Sequence, residues 1–286
     1  MPSDLIREYM RIDHLPHIWC PGCGNGVIMR DVVVAIDALI HDAAHSFDRD
    51  DFVIVSGIGC SSRAAGYLDF NSIHTTHGRA IAFATGIKFA NPRLKVVVLT
   101  GDGDCSAIGG NHLIHAARRN LDLTVICFNN NIYGMTGGQY SPTTPTGDLA
   151  TTAPYGNVDR PFDVALLAAG VGASFVARGD TFHVRETTEI IRKAILHDGF
   201  SLVDVYSICR TYYGRQNKKG SPSDMLAWQR EHLIATARYR AMSAQSRIGK
   251  KEIGILSVSD YPEYTAEYAR VIEASRETGD GKERRV

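Results

Sequence analysis

The 286-residue sequence carries no formal net charge: 31 Lys and Arg balance 31 Asp and Glu. That balance leaves no field for nucleic acid or an acidic membrane surface, so neither is an expected partner. Long apolar runs are missing too, and none approaches the length needed to cross a bilayer. The first residues, Met1-Pro2-Ser3-Asp4-Leu5-Ile6-Arg7-Glu8, have neither a basic head nor an apolar stretch, so no signal peptide is expected. Internal repeats and low-complexity segments are absent. Cysteine is scarce, six in all, which without an export signal argues against a disulfide scaffold. The expectation is a soluble cytoplasmic protein with an ordinary 44% hydrophobic and 22% charged composition.

What is present is alternation. Gly24 to Leu39 has apolar residues at three- and four-residue steps, as a helix requires. Phe52 to Val55 is a short apolar run ended by Ser56-Gly57. Helical segments Arg79 to Ala90 and Gly109 to Arg119 then alternate with apolar runs Val96 to Leu99 and Leu123 to Phe128. After a Gly-, Pro- and Thr-rich stretch from Asn129 to Asn157, Phe162 to Ala169 and Glu186 to His197 read as helices. Ser174 to Val176 and Leu202 to Val205 read as extended. This pattern predicts an α/β fold, a mostly parallel sheet with helices on both faces. Ligands bind such sheets beyond the carboxyl ends of the strands. Residues 1–217 are expected to form this domain. Residues 218–286, charged and weakly periodic with helix between Met225 and Met242, are expected as an arm or lid at a subunit interface. Arg276 to Val286 is expected as a solvated tail.

Thr100-Gly101-Asp102-Gly103-Asp104 follows a strand and precedes a helix, where phosphate loops sit. Ser106 stands where a dinucleotide fingerprint needs its third glycine, and no Gly-Lys-Ser/Thr follows. Two carboxylates in such a turn would repel a bare pyrophosphate, but they suit a divalent cation standing between carboxylate and phosphate. Mg²⁺ prefers one or two carboxylates with phosphate oxygens and water. Residues 104 to 128 place 25 positions between Gly103 and Asn129-Asn130, one helix and one strand, returning the chain to the same sheet edge. There Asn130 offers a side-chain oxygen and Ile132 a main-chain carbonyl. This spacing resembles the thiamine-diphosphate motif.

Trp19-Cys20-Pro21-Gly22-Cys23-Gly24 has the compact turn that lets two thiolates share a metal or cluster. Cys60 and Cys209 each follow a strand and complete a set of four. On the cysteines alone, structural zinc and an iron–sulfur cluster both remain open, as does a set with no metal at all. Cys105 and Cys127 read as buried small hydrophobes.

Together these residues resemble the β subunit of the 2-oxoacid:ferredoxin oxidoreductases, most closely the 2-oxoglutarate branch. The matching strings are WCPGCGN (Trp19 to Asn25), GIGCSSR (Gly57 to Arg63) and HTTHGRA (His74 to Ala80), followed by GDGDCSAIGGNHLIHAAR from Gly101 and NNNIYGMTGGQ from Asn129. The resemblance spans residues 14 to 217 and implies a thiamine-diphosphate-binding fold of the pyrophosphate type. It implies that Cys20, Cys23, Cys60 and Cys209 ligate one [4Fe–4S] cluster and that Asp102, Asn130 and the Ile132 carbonyl hold Mg²⁺. Gly59, Cys60, Ser61, Ser62, His77, Gly78, Gly103, Asp104, Gly134 and Met135 would line thiamine diphosphate. Two departures stand out: Arg210 follows Cys209 where the family usually has proline, and Cys105 replaces a common alanine or glycine.

The implied reaction is oxidative decarboxylation of a 2-oxoacid with coenzyme A, run forward or as a carboxylating synthase, with electrons passing to ferredoxin. No glutamate here suits the aminopyrimidine, and the family supplies it from an α subunit, so an αβ or (αβ)₂ assembly is expected and the chain alone should be inactive. Arg63, three residues past Cys60, would pair bidentately with a distal carboxylate and favour 2-oxoglutarate over pyruvate. A coenzyme A phosphate or a subunit salt bridge would use it equally well. His112 and His115 read as ordinary helix histidines. The competing readings are a pyruvate or broad-specificity enzyme, a non-redox thiamine decarboxylase subunit, and a zinc-stapled assembly protein.

Overall fold

The apolar runs become strands because each is buried on both faces. In this computed structural model, which describes residues 3–279, the strands are β1 (Phe52–Ser56), β2 (Asn71–His74), β3 (Lys95–Gly101), β4 (Thr124–Asn129) and β5 (Ile132–Tyr133), then β6 (Gln139–Tyr140), β7 (Phe175–Asp180), β8 (Ser201–Tyr206), β9 (Leu233–Ala235) and β10 (Lys251–Val258). Eight form one sheet in the order β2-β1-β3-β4-β8-β7-β10-β9, and β5 and β6 form a small hairpin. Pairing from β2 through β7 is parallel throughout, and only β10 runs antiparallel to its neighbour β7.

Alternate strand residues feed two cores. Phe52, Ile54, Val97, Leu99, Ile126, Phe128, Val203 and Val205 pack beneath the helices Asn25–Ile40 and Val184–Leu196. Val55, Val96, Val98, Val125, Cys127 and Leu202 face the helices Ala80–Ala90, Gly110–Arg118 and Val164–Gly170. Each fully buried branched side chain contributes roughly 1.5–3 kcal/mol. With helices on both faces, the carboxyl ends of β1, β3, β4 and β8 share one edge, which gathers the unusual loops there.

The segment expected as an arm or lid adds two strands, β9 and β10, to the edge of the main sheet. Its helix Pro222–His232 is interrupted from Thr236–Ala241 by β9, and β10 continues the main sheet, with Ile253 buried. A one-residue irregularity between Ile255 and Ser257 fits β10 to β7. The stretch expected as a tail from Arg276 is helical to Gly279; residues 280–286 lie outside the described residues. Among the described residues no helix is long and apolar enough to cross a membrane.

Candidate active site

Two sets of side chains meet at the carboxyl edge of the sheet. The first is built on the turn after β3. Asp102 is buried, with no cationic partner among the described residues. One of its oxygens, Oδ2, accepts hydrogen bonds from Ser141 Oγ and Thr143 Oγ1, both at 2.5 Å. Burial pushes its carboxyl up to about 6, against the pull of those two hydroxyls. A buried carboxylate without a counter-ion is costly, and a divalent cation at the other oxygen would remove that cost. Asn130 Oδ1 accepts from the Ile132 N–H at 3.2 Å, which closes the turn around Asn131 in a left-handed conformation (φ +61°). The residues present therefore fit Mg²⁺.

Asp104 does different work. Its carboxylate accepts from the Gly78 N–H at 2.6 Å, from Thr100 Oγ1 at 2.8 Å and from the Ile58 N–H at 3.4 Å. His77 Nδ1 lies 2.6 Å away but off the hydrogen-bonding direction. One side chain thus ties three loops together, and their backbones come too close for side chains: a Cβ on Gly57 would meet Asp104 Oδ2 at 2.0 Å. A Cβ on Gly103 would meet the Tyr133 ring at 2.2 Å, and Tyr133 donates its hydroxyl to the Gly103 carbonyl at 3.2 Å. Gly59, at φ +128°, opens onto free space. Ser61 packs under Gly101, and Ser62 Oγ is buried without a partner. An open glycine turn beside an unpaired buried hydroxyl suits a diphosphate.

The second set is the cysteines. Cys23 and Cys20 close their turn through a backbone bond of 3.0 Å. The Trp19 indole N–H donates to the Cys60 carbonyl at 2.7 Å, and the Gly24 N–H to the Ile208 carbonyl at 3.0 Å, so the turn is pinned between Cys60 and Cys209. All four thiols ring a cavity of about 220 Å³ whose wall also includes Asn130, Gly134 and Met135. Burial pushes Cys23 up to about 12, with Cys209, Cys60 and Cys20 adding to the effect and an Asn25 backbone contact opposing it. Burial pushes Cys60 up to about 11, with Cys209 and Cys20 adding to the effect. The sulfurs frame a void, and among the described residues no three His, Cys, Asp or Glu side chains are grouped for a single ion. Four ionisable thiols around a cavity of this size fit a polynuclear iron–sulfur cluster, whose positive iron would hold them ionised.

Arg63 sits elsewhere. It is exposed in the turn Ser61–Arg63 and lines a broad cleft of about 770 Å³ with Arg11, His14, Ser72 and His74. Ile18 belongs to both the cleft and the cysteine cavity, so the two adjoin. Cys105 and Cys127 are buried in the core.

Ser141 and Thr143 were not among the expected site residues. Their only signal was a polar Ser-Pro-Thr-Thr run inside the long irregular stretch. Changing them together to Ala and Val removes two charge-assisted bonds worth about 1.5–3 kcal/mol each. The expected result is a dissociation constant for Mg²⁺ and thiamine diphosphate at least about tenfold higher by calorimetry, with an unchanged circular-dichroism spectrum.

The comparisons with known proteins agree with this geometry. Residues 57–205 match the family model for the thiamine pyrophosphate enzyme, C-terminal TPP binding domain. The fold and site are those of a thiamine-diphosphate-binding enzyme. The chain is 51% identical over 266 residues to the 2-oxoglutarate synthase subunit KorB of Methanocaldococcus jannaschii, covering 93% of this chain and 96% of that one. The same subunit of Archaeoglobus fulgidus is 46% identical over 279 residues, covering 96% and 97%. A solved 2-oxoglutarate:ferredoxin oxidoreductase from Magnetococcus marinus, with 2-oxoglutarate, coenzyme A and succinyl-CoA bound, superposes with a TM-score of 0.83 at 34% identity, over 96% of this chain and 92% of that chain. The chain belongs to the β subunits of the 2-oxoglutarate:ferredoxin oxidoreductase family.

Proposed function

We propose that this β subunit, paired with an α subunit, converts 2-oxoglutarate and coenzyme A to succinyl-CoA and CO₂, with electrons leaving through a [4Fe–4S] cluster to ferredoxin. The observation that carries this reading is the shared wall: Asn130, Gly134 and Met135 border both the metal turn and the four-cysteine cavity. When bound, thiamine diphosphate supplies an electron sink for decarboxylation, and the cluster a one-electron acceptor.

The chain's own residues position and shield. Asp102, Asn130 and the Ile132 carbonyl hold Mg²⁺. Gly59, Cys60, Ser61, Ser62, His77, Gly78, Gly103, Gly134 and Met135 line the diphosphate and thiazolium, and Asp104 holds their loops in register. Cys20, Cys23, Cys60 and Cys209 hold the cluster. The glutamate that activates the cofactor is assigned to the α subunit, as the family resemblance implies. The C-terminal helix, which exposes Tyr268, Val271 and Ile272, is assigned to the subunit contact. Six unpaired thiols suit the reducing cytoplasm.

The test is colour. Anaerobically purified protein is expected to be brown, and its visible absorption to bleach on adding 2-oxoglutarate, coenzyme A and the α subunit. A colourless, zinc-containing protein would refute the redox reading. Arg63 is the residue assigned to the distal carboxylate. Arg63→Met is expected to raise the KM for 2-oxoglutarate roughly tenfold or more while changing that for pyruvate less than about twofold. Equal effects on both acids would remove Arg63 as the selector.

A further inference from the structure

The segment after Cys209 has no part in the site as described so far. From Arg210 to Lys219 it reads Arg-Thr-Tyr-Tyr-Gly-Arg-Gln-Asn-Lys-Lys: four cations and no carboxylate, in a chain whose charges cancel. Arg210, Thr211 and Tyr212 form one wall of the thiol cavity, and Arg215, Lys218 and Lys219 are exposed beyond it. The segment is held in place. The Asn217 side chain accepts from the Leu149 N–H at 2.7 Å and donates to the Leu149 and Tyr213 carbonyls, both at 3.0 Å. Lys219 lies 3.6 Å from Asp148, but Arg210, Arg215 and Lys218 have no acidic partner among the described residues. Across the cavity mouth, Cys20 and Ile18 are exposed, so the thiols reach the surface at this same edge.

A charge run on a surface commonly serves only solubility, and then both signs are interspersed. Here one sign is gathered on a fixed turn at the rim of the cavity. Small-molecule sites are concave and enclosing, whereas these cations stand outward, as a macromolecular contact needs. We propose that residues 210–219 dock an acidic one-electron carrier protein of the ferredoxin type at the mouth of the four-cysteine cavity. This rests on the redox reading above. Electron transfer weakens exponentially with distance, so a carrier must approach where the thiols are nearest the surface. Complementary charge raises the rate of productive encounter. Each turnover of 2-oxoglutarate and coenzyme A to succinyl-CoA, CO₂ and one proton releases two electrons. Two oxidised carriers therefore dock in succession, and each leaves reduced by one electron.

The test uses the αβ holoenzyme carrying Arg215→Glu and Lys218→Glu. Calorimetric affinity for an oxidised acidic ferredoxin at low salt is expected to fall about tenfold or more, and its salt dependence to flatten. Reduction of methyl viologen, and the KM values for 2-oxoglutarate and coenzyme A, are expected to stay within about twofold of the unmodified enzyme. The charge-preserving pair Arg215→Lys and Lys218→Arg is expected to bind ferredoxin as the unmodified enzyme does. Unchanged ferredoxin affinity in the glutamate variant would overturn the proposal. So would a selective rise in the KM for coenzyme A, or loss of the α subunit on size-exclusion chromatography. Absence of viologen reduction in the unmodified enzyme would instead strike the redox reading itself, so the two failures are distinguishable.

Discussion

Replacing Asp102 by asparagine is expected to abolish thiamine diphosphate binding, with affinity falling by more than about 10²-fold, or more than about 2.7 kcal/mol. Asparagine keeps the shape and still accepts from Ser141 and Thr143, so the change isolates the charge. On the proposed assignment the metal would lose its one carboxylate ligand from this turn, and a neutral amide oxygen is a weaker partner for Mg²⁺. The effect on the metal-free fold has the opposite sign. Burial raises the Asp102 carboxyl from 3.8 to about 6, so the ionised form costs the apoprotein up to about 3 kcal/mol. That cost grows as pH rises from about 4 to about 6 and is complete above it. At pH 7.5 the metal-free asparagine variant is therefore expected to melt at or above the metal-free parent. Added cofactor and Mg²⁺ should stabilise only the parent. A variant that still gains thermal stability from cofactor would show that Asp102 is not the anchoring ligand.

The parts of this site that were legible in the sequence are those whose meaning is local. The Gly101-Asp102-Gly103 turn, the Asn129-Asn130 turn and the Cys20–Cys23 turn each carry their chemistry within a few residues. Parallel strands did the rest: because β1, β3, β4 and β8 all point one way, the residues after each were bound to meet at one edge. Cys60 and Cys209 could thus be joined to the Cys20–Cys23 turn although far apart in the chain. Ser141 and Thr143 were not legible, because they act on a carboxylate 39 and 41 residues earlier, through a loop with no periodicity. β10 was hidden for a different reason. Near the sheet edge, it buries only Ile253 among Lys251 to Val258, so it lacks the continuous apolar run that marks a central parallel strand. The dual use of Asp102 and Asp104 was also out of reach. Two carboxylates two residues apart look alike in sequence, but Asp102 is held by the hydroxyls of Ser141 and Thr143 while Asp104 is consumed in holding three loops together.

Cys209→Ala is expected to remove the broad visible absorption of the anaerobic protein and its acceptor-linked activity, while thiamine diphosphate binding stays within about threefold. Cys209 is the informative member of the set because Arg210 follows it where the family usually has proline. The geometry compensates for that departure. A Cβ on Gly134 would stand 3.4 Å from the Cys60 sulfur and 3.7 Å from that of Cys209, so the two thiols lie side by side across the loop. The backbone there is fixed without proline, since the Gly214 N–H bonds the Cys209 carbonyl at 2.8 Å and the Ser207 N–H bonds the Asn129 carbonyl at 2.8 Å. If the four thiols hold the cluster as proposed, three thiolates would leave one iron without a protein ligand, which would favour loss of that iron and then of the cluster. Cys105→Ala supplies the control, because Cys105 is buried in the core away from the cavity, and its removal should leave the absorption intact. Full colour in the Cys209 variant, or its loss in the Cys105 variant, would reassign the fourth ligand.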